Sequence, residues 1–110
     1  MTTKNTLDSV FPIIGHRFEA ELGEKTFHLY YENEHTLILT DVRGPDIGKK
    51  QVLKVQIAKL RQNLYMVNWQ ETNKTAVTDI EDYANGIVYA NVTTPSNKFL
   101  NFKGKLKRIE

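Results

Sequence analysis

The chain has 110 residues, 40% of them hydrophobic and 25% charged, with 15 basic against 13 acidic side chains and a formal net charge of +2. That is the make-up of one ordinary globular domain, and the near balance of charge gives no reason to expect a nucleic-acid partner. Cysteine is absent, which excludes disulfides, thiolate nucleophiles and zinc–thiolate sites, and no apolar run approaches the roughly 20 residues of a membrane-spanning helix.

Residues 1–14 stand apart from the rest. The N-terminus, MTTKNTLDSVF, has no apolar stretch of the signal-peptide kind, so a cytoplasmic protein with no membrane association is expected. LDSVFPIIG favours a short helical turn that starts at Asp8 or Ser9 and ends at Pro12. Such a piece would plug one end of a barrel. Residues 15–110 are expected to form the β domain.

HRFEAEL (16–22) alternates Phe18, Ala20 and Leu22 against Arg17, Glu19 and Glu21, the period of a strand. Gly23, Glu24 and Lys25 read as a turn. TFHLYYE (26–32) sets Phe27, Leu29 and Tyr31 on one face, and Asn33 and Glu34 connect it tightly to HTLILTDV (35–42). RGPDIGKK (43–50), with two glycines and a proline, is the longest loop. QVLKVQIAKL (51–60) alternates through Leu53, Val55 and Ile57. RQN turns the chain into LYMVNWQE (64–71), where Tyr65, Val67, Trp69 and Glu71 share a face. Thr72 and Asn73 lead to KTAVTDIED (74–82), YANG precedes GIVYANVTT (86–94), and PSN separates that run from KFLNFKGKLKRI (98–109). The basic run Lys103 to Arg108 reads as the solvated face of this last strand.

These are eight strands joined by short turns, which implies antiparallel neighbours in an up-and-down meander. Eight such strands close into a barrel wide enough for one small ligand. A Greek-key sandwich needs long crossovers, and only one loop here is long. The fold class is therefore all-β, a single eight-stranded antiparallel barrel of lipocalin-like, or calycin, type.

Read from the residues alone, Glu71 either lines the lumen or ends its strand in water. On an apolar wall its charged form would be disfavoured, which suits acid–base work. Trp69 and Tyr65 offer a flat apolar wall with one polar tip each; Tyr30, Tyr31 and Tyr89 are similar candidates, each of them open to a packing role instead. Asn91 and Asn101 lie mid-strand, where asparagine is disfavoured, and either point inward or pair at a bulge. Asp79, Glu81 and Asp82 with Lys74 read as a solvated face and turn cap. Of the three histidines, His35 sits at a hairpin end, so a three-histidine metal site is not expected. No phosphate loop or serine-nucleophile elbow is present.

The run LYMVNWQETNKTAVTDIEDYANGIVYANVTTP, with Tyr65, Val67, Trp69, Glu71, Thr75, Val77 and Pro95 at matching places, resembles the middle of bacterial phenolic acid decarboxylases. YYENEHTLILTDVRG, through Asn33, His35 and Thr36, resembles their second hairpin. The domain size is also similar to that of MoaF-like proteins, relatives of the molybdenum-cofactor-biosynthesis F group, which share the barrel. The resemblance implies that Glu71 occupies the place of a lumen carboxylate used in acid–base chemistry. It implies an anion-attracting residue near Lys49, with Arg43 as a nearby substitute. The decarboxylases' tyrosine pair falls on Glu19 and Glu21 or on Ala20 and Leu22, so no phenol stands there.

The expected function is binding of a small organic ligand, apolar and either aromatic or carboxylated, inside the barrel. Trp69, Tyr65, Tyr31, Tyr89 and Asn91 would line the site, Glu71 would anchor or protonate, and Arg43 and Lys49 would draw an anion to the mouth. The alternatives are a lyase, isomerase or cyclase using Glu71, or an interaction domain with a filled interior. No cofactor or metal is expected. Because the related barrels pair, a homodimer through an outer barrel face is the expected assembly.

Overall fold

The alternating runs become one antiparallel sheet. The computed structural model describes residues 11–110. Nine strands follow in order: β1 (Arg17–Leu22), β2 (Lys25–Asn33), β3 (Thr36–Arg43), β4 (Lys50–Lys54), β5 (Gln56–Arg61), β6 (Leu64–Gln70), β7 (Ala76–Asp82), β8 (Ile87–Thr93) and β9 (Phe99–Arg108). Their order across the sheet is β4-β3-β2-β1-β9-β8-β7-β6-β5. Every hairpin neighbour in sequence is a neighbour in space, and β1 pairs with β9. The two outer strands, β4 and β5, are themselves consecutive in the chain, so the sheet curls into a nearly closed barrel.

The expected count of eight strands is thereby corrected to nine. Gln51–Leu60 reads as one strand because its alternation never breaks. In the structure this run changes partner: β4 pairs with β3 and β5 with β6. The switch falls at Val55, whose backbone N–H donates to the carbonyl of His35 at 2.8 Å. The helical turn expected from Asp8 or Ser9 falls mostly outside the described residues. Within them, a single 3-10 turn spans Phe11–Ile13, and Ile13 is buried in the core. Ile14 then bridges to Tyr31, which brings the segment to one end of the barrel.

Inward positions follow the period of two. Phe18 and Ala20 on β1, Leu29 and Tyr31 on β2, Leu37 and Leu39 on β3, Tyr65, Val67 and Trp69 on β6, and Val88 and Ala90 on β8 are all buried. Outward positions carry polar pairs. His28 contacts Glu19 at 3.2 Å across β1 and β2, and Lys107 on β9 reaches the same carboxylate. Gly104 on β9 is required by close approach: a Cβ there would overlap the Glu21 carbonyl oxygen of β1. The β1–β2, β3–β4, β6–β7 and β8–β9 turns lie together at one end, as alternating hairpins of a meander must.

Candidate functional site

That end opens into the lumen. A cavity of about 520 Å³ runs into the barrel from the turns. Ala20, Phe27, Leu29, Leu39, Val77 and Ala90 supply apolar wall, and Trp69 and Glu71 stand side by side on β6 and just past it. The indole Nε1–H of Trp69 donates to Oε2 of Glu71 at 3.2 Å. This bond orients the carboxylate toward the ring and fixes the indole as a flat panel. The backbone of Glu71 is held by the tight β6–β7 turn, its N–H bonding to the Thr75 carbonyl at 2.7 Å.

Descending along paired β6 and β7, the inward residues face one another in steps: Trp69 with Val77, Val67 with Asp79, and Tyr65 with Glu81. Asp79 is the deepest of the β7 residues that line the cavity, four residues below Thr75, or roughly 13 Å along a strand. It is 5% exposed, and Glu81 beneath it is 0% exposed. Glu81 collects donors. The Tyr31 hydroxyl lies 2.9 and 3.0 Å from its two oxygens, and the Tyr83 hydroxyl lies 2.6 Å from Oε1. Phe18 and Tyr65 pack edge-on against the Tyr83 ring, closing the far end.

Burial raises the pKa of Asp79 well above the carboxylate range, and the neighbouring Glu81 raises it further through its charge and hydrogen bond. Burial also raises Glu81, against the hydrogen bonds from Asp79, Tyr83 and Tyr31 that favour its anion. Two phenols already donate to Glu81, so it is the acceptor of the pair and the shared proton resides on Asp79. Burial and the adjacent carboxylate likewise push both phenols well up, so they stay protonated donors.

The mouth is bound by ion pairs. Lys25 lies 2.8 Å from Asp46 and 3.6 Å from the buried Asp41. Partial burial pulls the Lys25 pKa down, but the hydrogen bond to Asp46 and the charges of Asp41 and Asp46 outweigh it and leave the ammonium above its usual value. Lys49 also lines the opening.

The expected site residues are therefore dispersed. Glu71, Trp69 and Lys49 line the cavity. Tyr31 and Tyr65 are buried beneath it, outside its lining. Tyr89 and Asn91 are corrected from lumen to outer surface. On β8, Val88 and Ala90 take the inside, which turns Tyr89 outward at 44% exposure, under the Lys103 ammonium. Asn91 bonds across to Asn101 at 2.6 Å. Arg43 stands at the rim but is spent on structure: it donates to Thr26 Oγ1 and to the carbonyls of Glu24 and Gly23 at 2.7, 2.9 and 3.1 Å, and it is not among the lining residues. Among the described residues no set of His, Asp or Glu gathers as metal ligands.

Asp79 and Glu81 are the site residues that the solvated-face reading missed. Only Asp82 of that group acts as a turn cap, accepting from the N–H groups of Ala84 and Asn85. The signal was parity: Asp79 and Glu81 share the face of Val77, while Ile80 shares the other with Ala76 and Thr78. Pairing with inward Trp69, Val67 and Tyr65 decides between the faces.

Comparison with known proteins agrees with the architecture. Among solved chains, 16 match. One is a crystal structure of a Burkholderia vietnamiensis protein provisionally described as a beta-lactamase: its TM-score is 0.84 at 23% identity, covering 89% of this chain and 96% of the other. At that identity the likeness concerns the fold. No curated protein matches the chain. Among the described residues no helix is long and apolar enough to cross a membrane. The family model of MoaF-like proteins matches residues 14–107, nearly the whole barrel, and the chain belongs to the MoaF-like family.

Proposed function

We propose that this protein binds a small, mostly apolar organic molecule in the barrel lumen. The observation that carries this reading is the cavity of about 520 Å³ that enters from one end, within the range of small-molecule sites. Its inner walls are mainly apolar, with most of the polar groups gathered at the mouth and Asp79 at the floor. Trp69 presents an aromatic surface for a ring. The sole tryptophan of the chain thus reports occupancy through its fluorescence. Native mass spectrometry of the protein purified from its own host tests the reading. A co-purified small molecule, lost in Trp69→Ala, is the expected result. A ligand-free mass, with no change in Trp69 fluorescence on adding an apolar dye, overturns it.

A second reading has support in the Trp69–Glu71 bond. A carboxylate oriented at a cavity wall is placed for proton transfer, as a cofactor-free lyase, isomerase or cyclase requires. Incubation with cinnamic-type acids, comparing wild type with Glu71→Gln, tests it: product that vanishes in the variant favours this reading, and absence of product removes it for that substrate class. Hydrolysis of a β-lactam by a serine nucleophile has no support here, because the cavity lining holds no serine and Thr75 is its one hydroxyl.

A further inference from the structure

The ligand-binding reading can be sharpened by where the cavity keeps its charges. Both lining lysines, Lys25 and Lys49, belong to the mouth, and Lys25 is engaged by Asp41 and Asp46. The other ionisable groups of the lining are acids, Glu24, Asp41 and Asp46 among them at the mouth. Glu71 stands beside the indole, and Asp79 marks the floor between apolar walls.

Asp79 is 5% exposed, and its hydrogen-bond partner is Glu81. Glu81 is fully enclosed and takes the hydroxyls of Tyr31 and Tyr83. The network orders the pair. Phenols can only donate to a carboxylate, so Glu81 accepts and Asp79 donates to it, which leaves the second oxygen of Asp79, a residue of the cavity lining, as an acceptor. Among the described residues no cation is ion-paired with either carboxyl, so a negative charge on the pair is left uncompensated by the protein. Such a charge is costly to bury and gains strongly from a cationic partner. A carboxylate brought to the same floor would meet like charge with no donor to receive it.

Resting on the ligand-binding reading, we propose that Asp79 is the deep recognition group of the lumen and that the ligand is an apolar molecule bearing an amine, whose ammonium donates to Asp79. The apolar body lies along Trp69 and the aliphatic wall, and Glu71 flanks the path to the floor. Tyr31, Tyr83 and Glu81 act as positioning residues that hold Asp79 as an acceptor.

Three matched probes test this by isothermal titration calorimetry: naphthylmethylamine, naphthoate and methylnaphthalene. The amine is expected to bind about ten- to a hundredfold more tightly than methylnaphthalene, the range of a hydrogen bond to a charged group, with naphthoate weakest. In Asp79→Val, whose fold is checked by circular dichroism, the amine loses that margin, whereas Asp79→Asn, which still offers a carbonyl oxygen to the ligand and a donor to Glu81, keeps most of it. Naphthoate binding as tightly as the amine overturns the proposal. So does a margin that survives in Asp79→Val but disappears in Glu71→Gln. If all three probes bind alike, the lumen remains a ligand site and the Asp79 assignment falls. If none binds, methylnaphthalene included, the ligand-binding reading falls as well.

Discussion

Tyr31 on β2 donates its hydroxyl to Glu81 on β7, 2.9 and 3.0 Å from the two carboxylate oxygens. Three strands, β1, β9 and β8, separate β2 from β7 in the sheet. The bond therefore ties opposite walls of the barrel. Tyr31→Phe should destabilise the protein by about 1.5–3 kcal/mol, as expected for a buried hydrogen bond to a charged acceptor. Urea unfolding should show a lower midpoint with an unchanged slope. A change under about 0.5 kcal/mol, the level of ordinary surface substitutions, would set the bond aside as a stabilising contact.

The buried acids make stability depend on pH in a defined sense. Burial raises the pKa values of Asp79 and Glu81, so above the ordinary carboxylate range of about 4 the folded state holds protons that the unfolded chain has released. Stability therefore declines as pH rises from about 4 toward the raised folded values. Asp79→Asn keeps a donor for Glu81 and cannot ionise. The variant should be more stable than wild type at neutral pH and should show a flatter dependence. Thermal midpoints measured from about pH 4 to pH 8 decide the matter; a variant with the wild-type slope contradicts the assignment.

Gly104 is predicted to be intolerant even of alanine. A Cβ there would overlap the Glu21 carbonyl oxygen, so β9 would have to separate from β1 where the ends of the meander are joined. Gly104→Ala should cost about 4 kcal/mol or more, among the largest single-residue effects. Soluble yield and thermal midpoint report it, and a midpoint near that of wild type refutes the contact.

The mouth ion pairs should separate into a weak and a stronger one. Asp46 is exposed, and Asp46→Asn should change stability no more than an ordinary surface substitution. Lys25→Met removes the ammonium from both Asp46 and the buried Asp41, and a buried acceptor that loses its partner costs about 1–3 kcal/mol. Denaturant midpoints of the two variants test the ranking. Equal effects would show that Asp41 gains nothing from Lys25.

Much of this was legible in the residues. The face of Tyr65, Val67 and Trp69 is apolar on one side only, so its inward direction follows from period and burial. β7 is different: Val77, Asp79 and Glu81 compete with Ala76, Thr78 and Ile80, and hydrophobicity alone favours the wrong side. The decision comes from register with β6, a relation between strands that no single run contains. β8 hid its direction for a similar reason, since Tyr89 and Val88 are both good strand residues and the smaller Val88 and Ala90 fit beside Glu81 and Asp79. The rim role of Arg43 depends on the carbonyls of Gly23 and Glu24, which are distant in sequence.

The change of partner at Val55 has a bearing on how this barrel can vary. Leu53, Val55 and Ile57 remain on the core side through the switch from β3 to β6. The β4–β5 run thus keeps a single odd–even phase through its change of partner. One residue added or removed there would send Gln56 inward and Ile57 out, whereas two would restore the phase. Length changes within the staves are thus tolerated in even numbers, and diversification of the pocket falls to the hairpin tips that surround its opening.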